Sequence, residues 1–249
     1  MKAEKEPETQ TFKGAEKMDK VCLITGVGPG TGTAITERFA KHGYRTAMLA
    51  RNSERLNELE QSIPNSKAYR CDVGHPDSLT DAFQQIEQDL GSPDVVIHNA
   101  VNASFGSYMD IKAEDLRQVM DVNLFALLQL AQLATPGMQS KGHGVIICTG
   151  NTSAYRGKAN FAGFAPTKAA QRIMLESIAR HAGPLGIHAA YLAIDAVIDL
   201  VWTRKSFPDK ADEFFCQPAD IAEECFRLAH QPKSAWSAES VIRPFGENW

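Results

Sequence analysis

Residues 21–32 read VCLITGVGPGTG, an apolar run that passes directly into a turn rich in glycine. The run predicts a buried β-strand, and the residues after the turn predict a helix that ends near His42-Gly43. Glycines allow a tight turn and close approach of the backbone to a ligand, while free N–H groups at a helix start attract pyrophosphate. Because the glycines lie between a strand and a helix, they predict a dinucleotide-binding turn rather than a purely structural one.

Short apolar strands alternate with helical stretches along the rest of the chain. The further predicted strands are residues 44–50, 67–71, 94–98, 144–149, 187–194 and 240–243. The further predicted helices are residues 53–62, 76–90, 113–138, 166–182, 210–215 and 219–230. Irregularities are expected near Asn123 and Pro136. We therefore expect an α/β protein with a single-domain Rossmann fold over residues 20–249, a doubly wound parallel sheet of about seven strands with helices on both faces.

The composition is that of an ordinary globular protein, with 249 residues, 43% hydrophobic and 22% charged, and a formal net charge of −4. Because there is no long basic run, we expect no nucleic-acid partner. No stretch approaches the roughly 18 apolar residues of a membrane span, so we expect no membrane insertion. Residues 1–19 are rich in Lys and Glu and lack the apolar core of a secretory signal. They predict a flexible tail, with an arm that docks on a partner subunit as the alternative.

The five cysteines show no pairwise metal-binding spacing. They are Cys22, Cys71, Cys148, Cys216 and Cys225. Two of them fall inside strand-like apolar runs, which favours buried, reduced thiols. The sequence therefore predicts no metal site and a cytoplasmic location.

The glycine turn also fits a pattern shared by one enzyme family. Thr25, Gly26, Gly30 and Gly32 match the pattern Thr-Gly-x-x-x-Gly-x-Gly. On this and the matches that follow, the chain resembles the classical short-chain dehydrogenase/reductase family over residues 20–249. The resemblance implies a nicotinamide cofactor and a small-molecule substrate.

Three further stretches support the resemblance. Asp72-Val73 looks like the pair whose carboxylate contacts the adenine in that family. Residues 98–101 read His-Asn-Ala-Val and resemble the family's Asn-Asn-Ala-Gly, from which they differ at the first and last positions. Asn123 matches the helix asparagine that holds a water beside the catalytic lysine. The cofactor-binding residues that the turn and the resemblance together indicate are Thr25, Gly26, Gly28, Gly30, Thr31, Gly32, Arg51, Asp72, Val73, Asn99, Ala100, Lys168 and Ile198.

The end of the second strand indicates which nicotinamide cofactor is bound. An acidic residue there would bind the ribose 2′-OH of NAD. This chain has Ala50 followed by Arg51, and an arginine fork matches a 2′-phosphate. We therefore expect NADP(H), with NAD(H) as the alternative if Arg51 is only a solvated surface cation.

The residues expected to perform the chemistry depart from the family pattern. In that family a serine, a tyrosine and a lysine act beside the nicotinamide. Lys168 is present, but Phe164 stands at the tyrosine position one helical turn before it, and Asn151 stands at the serine position. Phenylalanine has no proton to give or take. The amide of Asn151 can still donate to a substrate oxygen, although a role only in stabilising its loop is equally open.

Other side chains are candidates for the missing proton donor. Tyr155 and Ser153 follow the fifth strand, and Asp195 stands where the family usually has Pro-Gly. A desolvated acid near a substrate could have a raised pKa and act as donor. The alternatives are that Tyr155 is a pocket wall and that Asp195 caps a turn or pairs with a cation. His98 is expected to be a packed strand-end residue rather than a base.

The cofactor-binding residues match the family pattern, whereas the catalytic residues depart from it. Two functional hypotheses follow. The first is an NADP(H)-binding oxidoreductase that reduces or oxidises a small carbonyl or alcohol with an atypical active site. The second is a catalytically silent cofactor-binding subunit or redox sensor. The helices at residues 113–138 and 166–182 match those through which the family forms dimers and tetramers, so a homodimer or homotetramer is expected. Residues 199–215 are expected to form a substrate lid.

Overall fold

The computed structural model describes residues 20–246, whose strands form a seven-stranded and a two-stranded sheet. The strands are β1 (Val21–Thr25), β2 (Arg45–Ala50), β3 (Ser66–Arg70), β4 (Val95–His98), β5 (Gly144–Gly150), β6 (Ile187–Ile194), β7 (Val197–Ile198), β8 (Phe215–Cys216) and β9 (Glu239–Ile242). The main sheet has the order β3-β2-β1-β4-β5-β6-β9, and every pairing in it is parallel. The strand order therefore reverses between β1 and β4.

Eight α-helices connect these strands within the described residues. They are α1 (Thr31–Lys41), α2 (Ser53–Ser62), α3 (Pro76–Leu90), α4 (Ala113–Met120), α5 (Ala126–Lys141), α6 (Ala165–Ala182), α7 (Val201–Ser206) and α8 (Pro218–Ala229). A π-helical turn, Asp121–Phe125, joins α4 to α5. Each parallel pairing in the main sheet needs such a crossover, because parallel strands cannot be joined by a tight hairpin.

Apolar residues cover both faces of the main sheet. Along β1, Val21 and Leu23 belong to a core formed with α3, α5 and α6. Cys22 and Ile24 belong to a second core formed with α1, α2 and α8. Successive side chains of a strand point to opposite faces, so this division shows that helices cover the sheet on both sides. The expected doubly wound Rossmann fold is confirmed.

The helical region predicted at residues 113–138 differs from the structure in two ways. The irregularity expected near Asn123 is a π-helical turn. Pro136, by contrast, does not end the helix, since α5 continues past it to Lys141. Ala134 and Met138 are buried on either side of the proline, so core packing holds the last turns despite the lost backbone hydrogen bond.

The segment between β7 and β8 also differs from the prediction. A helix was expected at residues 210–215, but α7 lies earlier and only a 3₁₀ turn, Asp212–Phe214, is present there. The two-residue strands β7 and β8 pair in parallel at either end of the segment. Elements this short carry no periodic signal, which is why the pattern of apolar residues did not reveal them.

Two further expectations concern the N-terminal tail and membrane insertion. The tail expected at residues 1–19 lies outside the described residues. Within residues 20–246, no helix has both the length and the apolar character needed to cross a bilayer.

Candidate functional site

A cleft of about 820 Å³ lies at the carboxyl ends of β1, β2 and β4, where the strand order reverses. Its walls are formed by the glycine turn, by the loops after β2, β3 and β4, and by residues 198–202. In doubly wound sheets this crevice is the place where ligands bind. The fold therefore places the glycine turn of residues 26–32 at the edge of the sheet that can hold a ligand.

Two glycines of the turn are packed too closely to accept a side chain. A Cβ on Gly26, whose φ is +70°, would lie 2.5 Å from the Cα of Ala100. A Cβ on Gly32 would lie 2.5 Å from the carbonyl oxygen of Gly26. The helix α1 starts directly after the turn, and its first turn contains no acidic residue. The N–H groups of Thr33 and Ala34 donate to carbonyls of the turn, so an anion would meet those of Thr31 and Gly32 and the helix dipole.

Thr25 and His98 fix the loop after β4, which forms the wall opposite the glycine turn. His98 contacts the carbonyl oxygen of Val122 through Nε2 at 3.0 Å, so that nitrogen carries the hydrogen. Its Nδ1 then accepts from the hydroxyl of Thr25 at 3.0 Å. The same hydroxyl oxygen accepts from the backbone N–H groups of Asn99 and Ala100. Burial, together with the nearby Lys168, lowers the pKa of His98 to about 3. His98 is therefore a neutral, packed residue.

The far end of the cleft carries two guanidinium groups. Arg51 and Arg55 both line it and are exposed, and Ala50 occupies the position where a carboxylate would repel phosphate. Asn52 caps α2 by accepting from the backbone N–H of Arg55 at 3.0 Å. Asp72 lies on the same wall, where its Oδ1 accepts from the N–H of Gly74. Arg55 was missed by the sequence analysis, although its place in the first turn of α2, four residues after Arg51, could have indicated it.

Most of the expected cofactor-binding residues line the cleft. The lining residues are Gly26, Gly28, Thr31, Gly32, Arg51, Asp72, Val73, Asn99, Ala100 and Ile198. Thr25 lies behind the wall, as described above. Gly30 is the residue before α1 and faces the side chain of Leu200. Lys168 is buried, with 2% of its surface exposed.

At the other end of the site, Phe164 lies within a cluster of aromatic rings. It precedes α6 and is 5% exposed, and its ring centre is 5.3 Å from that of Phe105 and 6.3 Å from that of Phe161. The Nζ of Lys168 is 5.8 Å from the Phe164 ring centre. The structure thus keeps the one-turn spacing of positions 164 and 168, with an apolar ring where a hydroxyl was expected.

Asn123 is fully buried in the π-helical turn, and its side chain is saturated with hydrogen bonds. Its Oδ1 accepts from the N–H of Asn102, while its Nδ2 donates to the carbonyl of Asn102 and to the hydroxyl of Thr167, all at 2.9 Å. Its backbone carbonyl accepts from the side-chain amide of Gln171 at 2.6 Å. Asn123 therefore ties the loop after β4 to α6. Gln171 was missed by the sequence analysis.

Asn151 stabilises its loop, which is one of the two roles that the sequence left open. Its Oδ1 accepts from the N–H of Ser153 at 3.0 Å, which stabilises the loop after β5. Its backbone N–H donates to the buried hydroxyl of Tyr191 at 3.2 Å. Within residues 20–246 its Nδ2 has no hydrogen-bond partner. That amide group is free to donate to a bound substrate.

The expected substitute donors make other contacts. The ring of Tyr155 lies 5.2 Å from the guanidinium of Arg172, which is two helical turns, or about 12 Å along the axis, beyond Phe164. Asp195 accepts from the hydroxyl of Thr152 at 2.6 Å, and its other oxygen is 3.9 Å from Arg243. Neither Tyr155 nor Asp195 lines the cleft, and the approach of Arg243 to Asp195 is the cation pairing given above as an alternative.

The expected lid contributes one aromatic residue to the cleft. Trp202 lines the cleft and is largely exposed. Phe207 and Phe215 pack against Phe214 at ring distances of 5.7 and 5.1 Å. The base of the segment is held by Arg204, which forms a two-pronged ion pair with Asp199.

The chain is similar to known oxidoreductases in sequence. The family model described as short chain dehydrogenase matches residues 20–198. An uncharacterized oxidoreductase of Staphylococcus aureus strain USA300 is 25% identical over 228 residues, which cover 91% of this chain and 97% of that protein.

Solved structures show the same fold. An alcohol dehydrogenase from the archaeon Thermococcus sibiricus, complexed with 5-hydroxy-NADP, superposes with a TM-score of 0.81 at 25% identity, covering 92% of this chain and 98% of that one. A metagenomic short-chain oxidoreductase in complex with NADP superposes with a TM-score of 0.80 at 23% identity, covering 91% and 97% of the two chains.

The packing of the glycine turn generates a stability prediction. Gly32→Ala should lower the free energy of unfolding by about 1–3 kcal/mol, because its Cβ would meet backbone atoms of Gly26 and Val27. Gly28→Ala is the matched control, since its Cβ would have no neighbour within 4 Å. Urea unfolding measures both variants. Equal stabilities for the two would contradict the packing described here.

The neutral state of His98 generates a pH prediction. In the unfolded chain a histidine has a pKa of about 6.5, whereas the folded protein holds that of His98 near 3. Between these values the unfolded chain binds more protons, so this contribution to stability is lost as the pH falls. His98→Asn should therefore show a shallower loss of unfolding free energy on acidification from about pH 6.5, by up to about 1.4 kcal/mol per pH unit. The exposed His75, changed to Gln, is the control, and parallel curves for wild type and His98→Asn would contradict the assignment.

Proposed function

The chain belongs to the short-chain dehydrogenase family, and we propose that it is an NADP(H)-binding oxidoreductase with an atypical active site. The proposed substrate is a small carbonyl or alcohol compound. The observation that carries the proposal is that the glycine turn, Arg51 and Arg55 line the same cleft. The family and the similar oxidoreductase of Staphylococcus aureus support the reaction class.

The residues of the cleft fit a phosphorylated dinucleotide. The turn offers backbone where side chains would block approach, and the start of α1 offers N–H groups to a pyrophosphate. Arg51 and Arg55 supply positive charge at the end of β2, where a 2′-phosphate would lie. The two solved structures that contain NADP or 5-hydroxy-NADP support the same choice. When bound, the nicotinamide supplies or accepts the hydride.

The chain's own residues would orient and polarise the substrate but offer little for proton transfer. The free Nδ2 of Asn151 is the proposed donor to the substrate oxygen. Phe164 has no proton, Asp195 is engaged by Thr152, and Tyr155 lies against Arg172. Water entering the open cleft is therefore the proton source we favour over these two side chains. Loss of a positioned general acid costs about 10²–10⁴-fold in rate, which predicts a slow enzyme.

We further propose that the protein self-associates in the reducing environment of the cytoplasm. Phe125 in the π-helical turn and Ile173 on α6 are large apolar residues with more than half of their surface exposed. They lie on the helices that the sequence indicated as an interface for a homodimer or homotetramer. The five cysteines are buried free thiols, which suits a reducing compartment. A catalytically silent subunit or redox sensor is the alternative, and the loss of the hydroxyl at position 164 is the observation in its favour.

The cofactor assignment predicts a selective loss in a charge variant. Arg51→Ala should weaken NADPH binding about tenfold or more, as expected for hydrogen bonds to a charged group, and should leave NADH binding nearly unchanged. Titration with thermal-shift readout measures both. Arg70→Ala, an exposed arginine at the end of β3 outside the cleft, is the matched control. An equal loss for NADPH and NADH would contradict a 2′-phosphate contact.

The missing proton donor predicts a gain of activity. Phe164→Tyr places a phenol one helical turn before Lys168 and should raise kcat for a small ketone or aldehyde at least about tenfold. Phe161→Tyr is the matched control, because it adds a hydroxyl to the same aromatic cluster at a different position. Oxidation of NADPH with a carbonyl panel provides the measurement. No gain at saturating NADPH would count against a carbonyl substrate and would favour the silent-subunit hypothesis.

A further inference from the structure

Tyr191 lies on β6 with its hydroxyl beside the residue that follows β5. Its side chain is buried, since only 1% of the residue is exposed. The hydroxyl accepts from the backbone N–H of Asn151 at 3.2 Å and donates to the backbone carbonyl of the same residue at 3.4 Å. One phenol therefore bonds both backbone groups of Asn151.

The backbone of Asn151 is shaped for this double contact. Asn151 is extended, with a φ of −152° and a ψ of 178°. In an extended residue the N–H and the C=O point to the same side, as in the hydrogen-bonded residue pairs of antiparallel strands. The pairing of β5 with β6 ends at Gly150 and Ala193. The Tyr191 hydroxyl thus takes the place of a strand partner for the next residue of the chain.

The contact depends on the glycine that precedes Asn151. A Cβ on Gly150 would lie 1.8 Å from the Tyr191 hydroxyl oxygen and 2.2 Å from the ring carbon that carries it. Positions 150 and 191 therefore share one space, which the tyrosine fills. Gly150 is needed for the close approach of the phenol.

The loop after β5 is held at two further points. The Oδ1 of Asn151 accepts from the N–H of Ser153 at 3.0 Å, and the hydroxyl of Thr152 donates to Asp195 at 2.6 Å. The backbone and the Oδ1 of Asn151 are thereby fixed. Its Nδ2 is left with a defined direction and without a hydrogen-bond partner within residues 20–246.

Tyr191 does not replace the proton donor that is missing at position 164. Its hydroxyl is bonded to the backbone of Asn151, and its ring belongs to the apolar core formed with α3, α5 and α6. Burial raises the pKa of the Tyr191 hydroxyl, so the oxygen keeps its hydrogen and the bond to the Asn151 carbonyl. The phenol can therefore affect a substrate only through Asn151.

We infer that Tyr191 is a positioning residue, which holds Asn151 so that its amide N–H is aimed at the substrate oxygen. The inference rests on the proposed function, in which that amide polarises the substrate. A donor of this kind is effective when its direction is fixed before the reaction, because no reorganisation is then needed in the transition state. In this chain a buried tyrosine on β6 supplies the fixed direction.

A kinetic test removes the hydroxyl and keeps the ring. Tyr191→Phe should lower kcat for a small carbonyl at least about tenfold, because a misplaced donor loses its effect in the transition state, and should leave KM for NADPH unchanged. Tyr44→Phe removes the hydroxyl of another buried tyrosine, which contacts His230 and lies outside the cleft lining. This control should change neither value. An unchanged kcat in Tyr191→Phe would overturn the inference.

A double-variant cycle separates positioning from a general loss of packing. Asn151→Ala removes the donor itself, so addition of Tyr191→Phe should then cause no further loss of kcat. Losses that multiply would show that Tyr191 acts independently of the Asn151 amide and would contradict the inference.

A second measurement needs neither cofactor nor substrate. Hydrogen exchange of the Asn151 backbone N–H is followed by NMR, with the amides of β1 as the reference. Tyr191→Phe should speed exchange at Asn151 at least about tenfold relative to that reference, because the N–H loses its acceptor, and Tyr44→Phe should not. Unchanged exchange in a protein that reduces a carbonyl would overturn the inference alone. Faster exchange in a protein that binds NADPH but reduces no carbonyl would instead overturn the proposed substrate class, while the hold of Tyr191 on Asn151 would stand.

Discussion

The site depends on one steric constraint, which is that Gly26 and Gly32 of the turn after β1 have no room for a Cβ. The Cα of Ala100 lies where a Cβ of Gly26 would be, and the carbonyl of Gly26 lies where a Cβ of Gly32 would be. This packing brings the start of α1 and the loop after β4 to the same edge of the sheet. The two walls of the cleft meet there, and the Thr25–His98 pair fixes the second wall from behind.

The lining of the cleft and the residues around Lys168 differ in how their polar groups are bonded. The cleft is lined by the glycine turn and by two exposed arginines, Arg51 and Arg55. The side chains around Lys168, by contrast, bond to other protein groups. Asn123 has all of its polar side-chain atoms hydrogen-bonded, and Lys168 donates to Gln171. Exposed guanidinium groups suit an anionic ligand. Asn151 lies outside the lining of the cleft, and its Nδ2 has no hydrogen-bond partner within residues 20–246.

Much of the fold followed from local patterns of the sequence. The helices at residues 53–62 and 76–90 and the strand at residues 187–194 have the predicted bounds, because each combines clear periodicity with a definite stop. Pro136 was misjudged, since burial of its neighbours outweighs its local effect. The segment between β7 and β8 was misplaced because long-range pairing and the Arg204–Asp199 ion pair, rather than propensity, define it.

The candidate site was predictable where it depends on backbone and not where it depends on contacts across the fold. Gly26, Gly28, Gly32 and Arg51 line the cleft as expected, because the local sequence alone places them after β1 and β2. Gln171 was missed, although a glutamine three residues after Lys168 in an alanine-rich stretch is a polar residue on the buried face of α6. Its partner is a backbone carbonyl freed by the π-helical turn, and no sequence pattern shows that group.

The most direct test of the account is isothermal titration of the wild-type protein with NADPH and NADH. The account predicts one site per chain with NADPH bound at least about tenfold tighter, as expected for a charged phosphate contact. Absence of binding by either cofactor, or tighter binding of NADH, would contradict it.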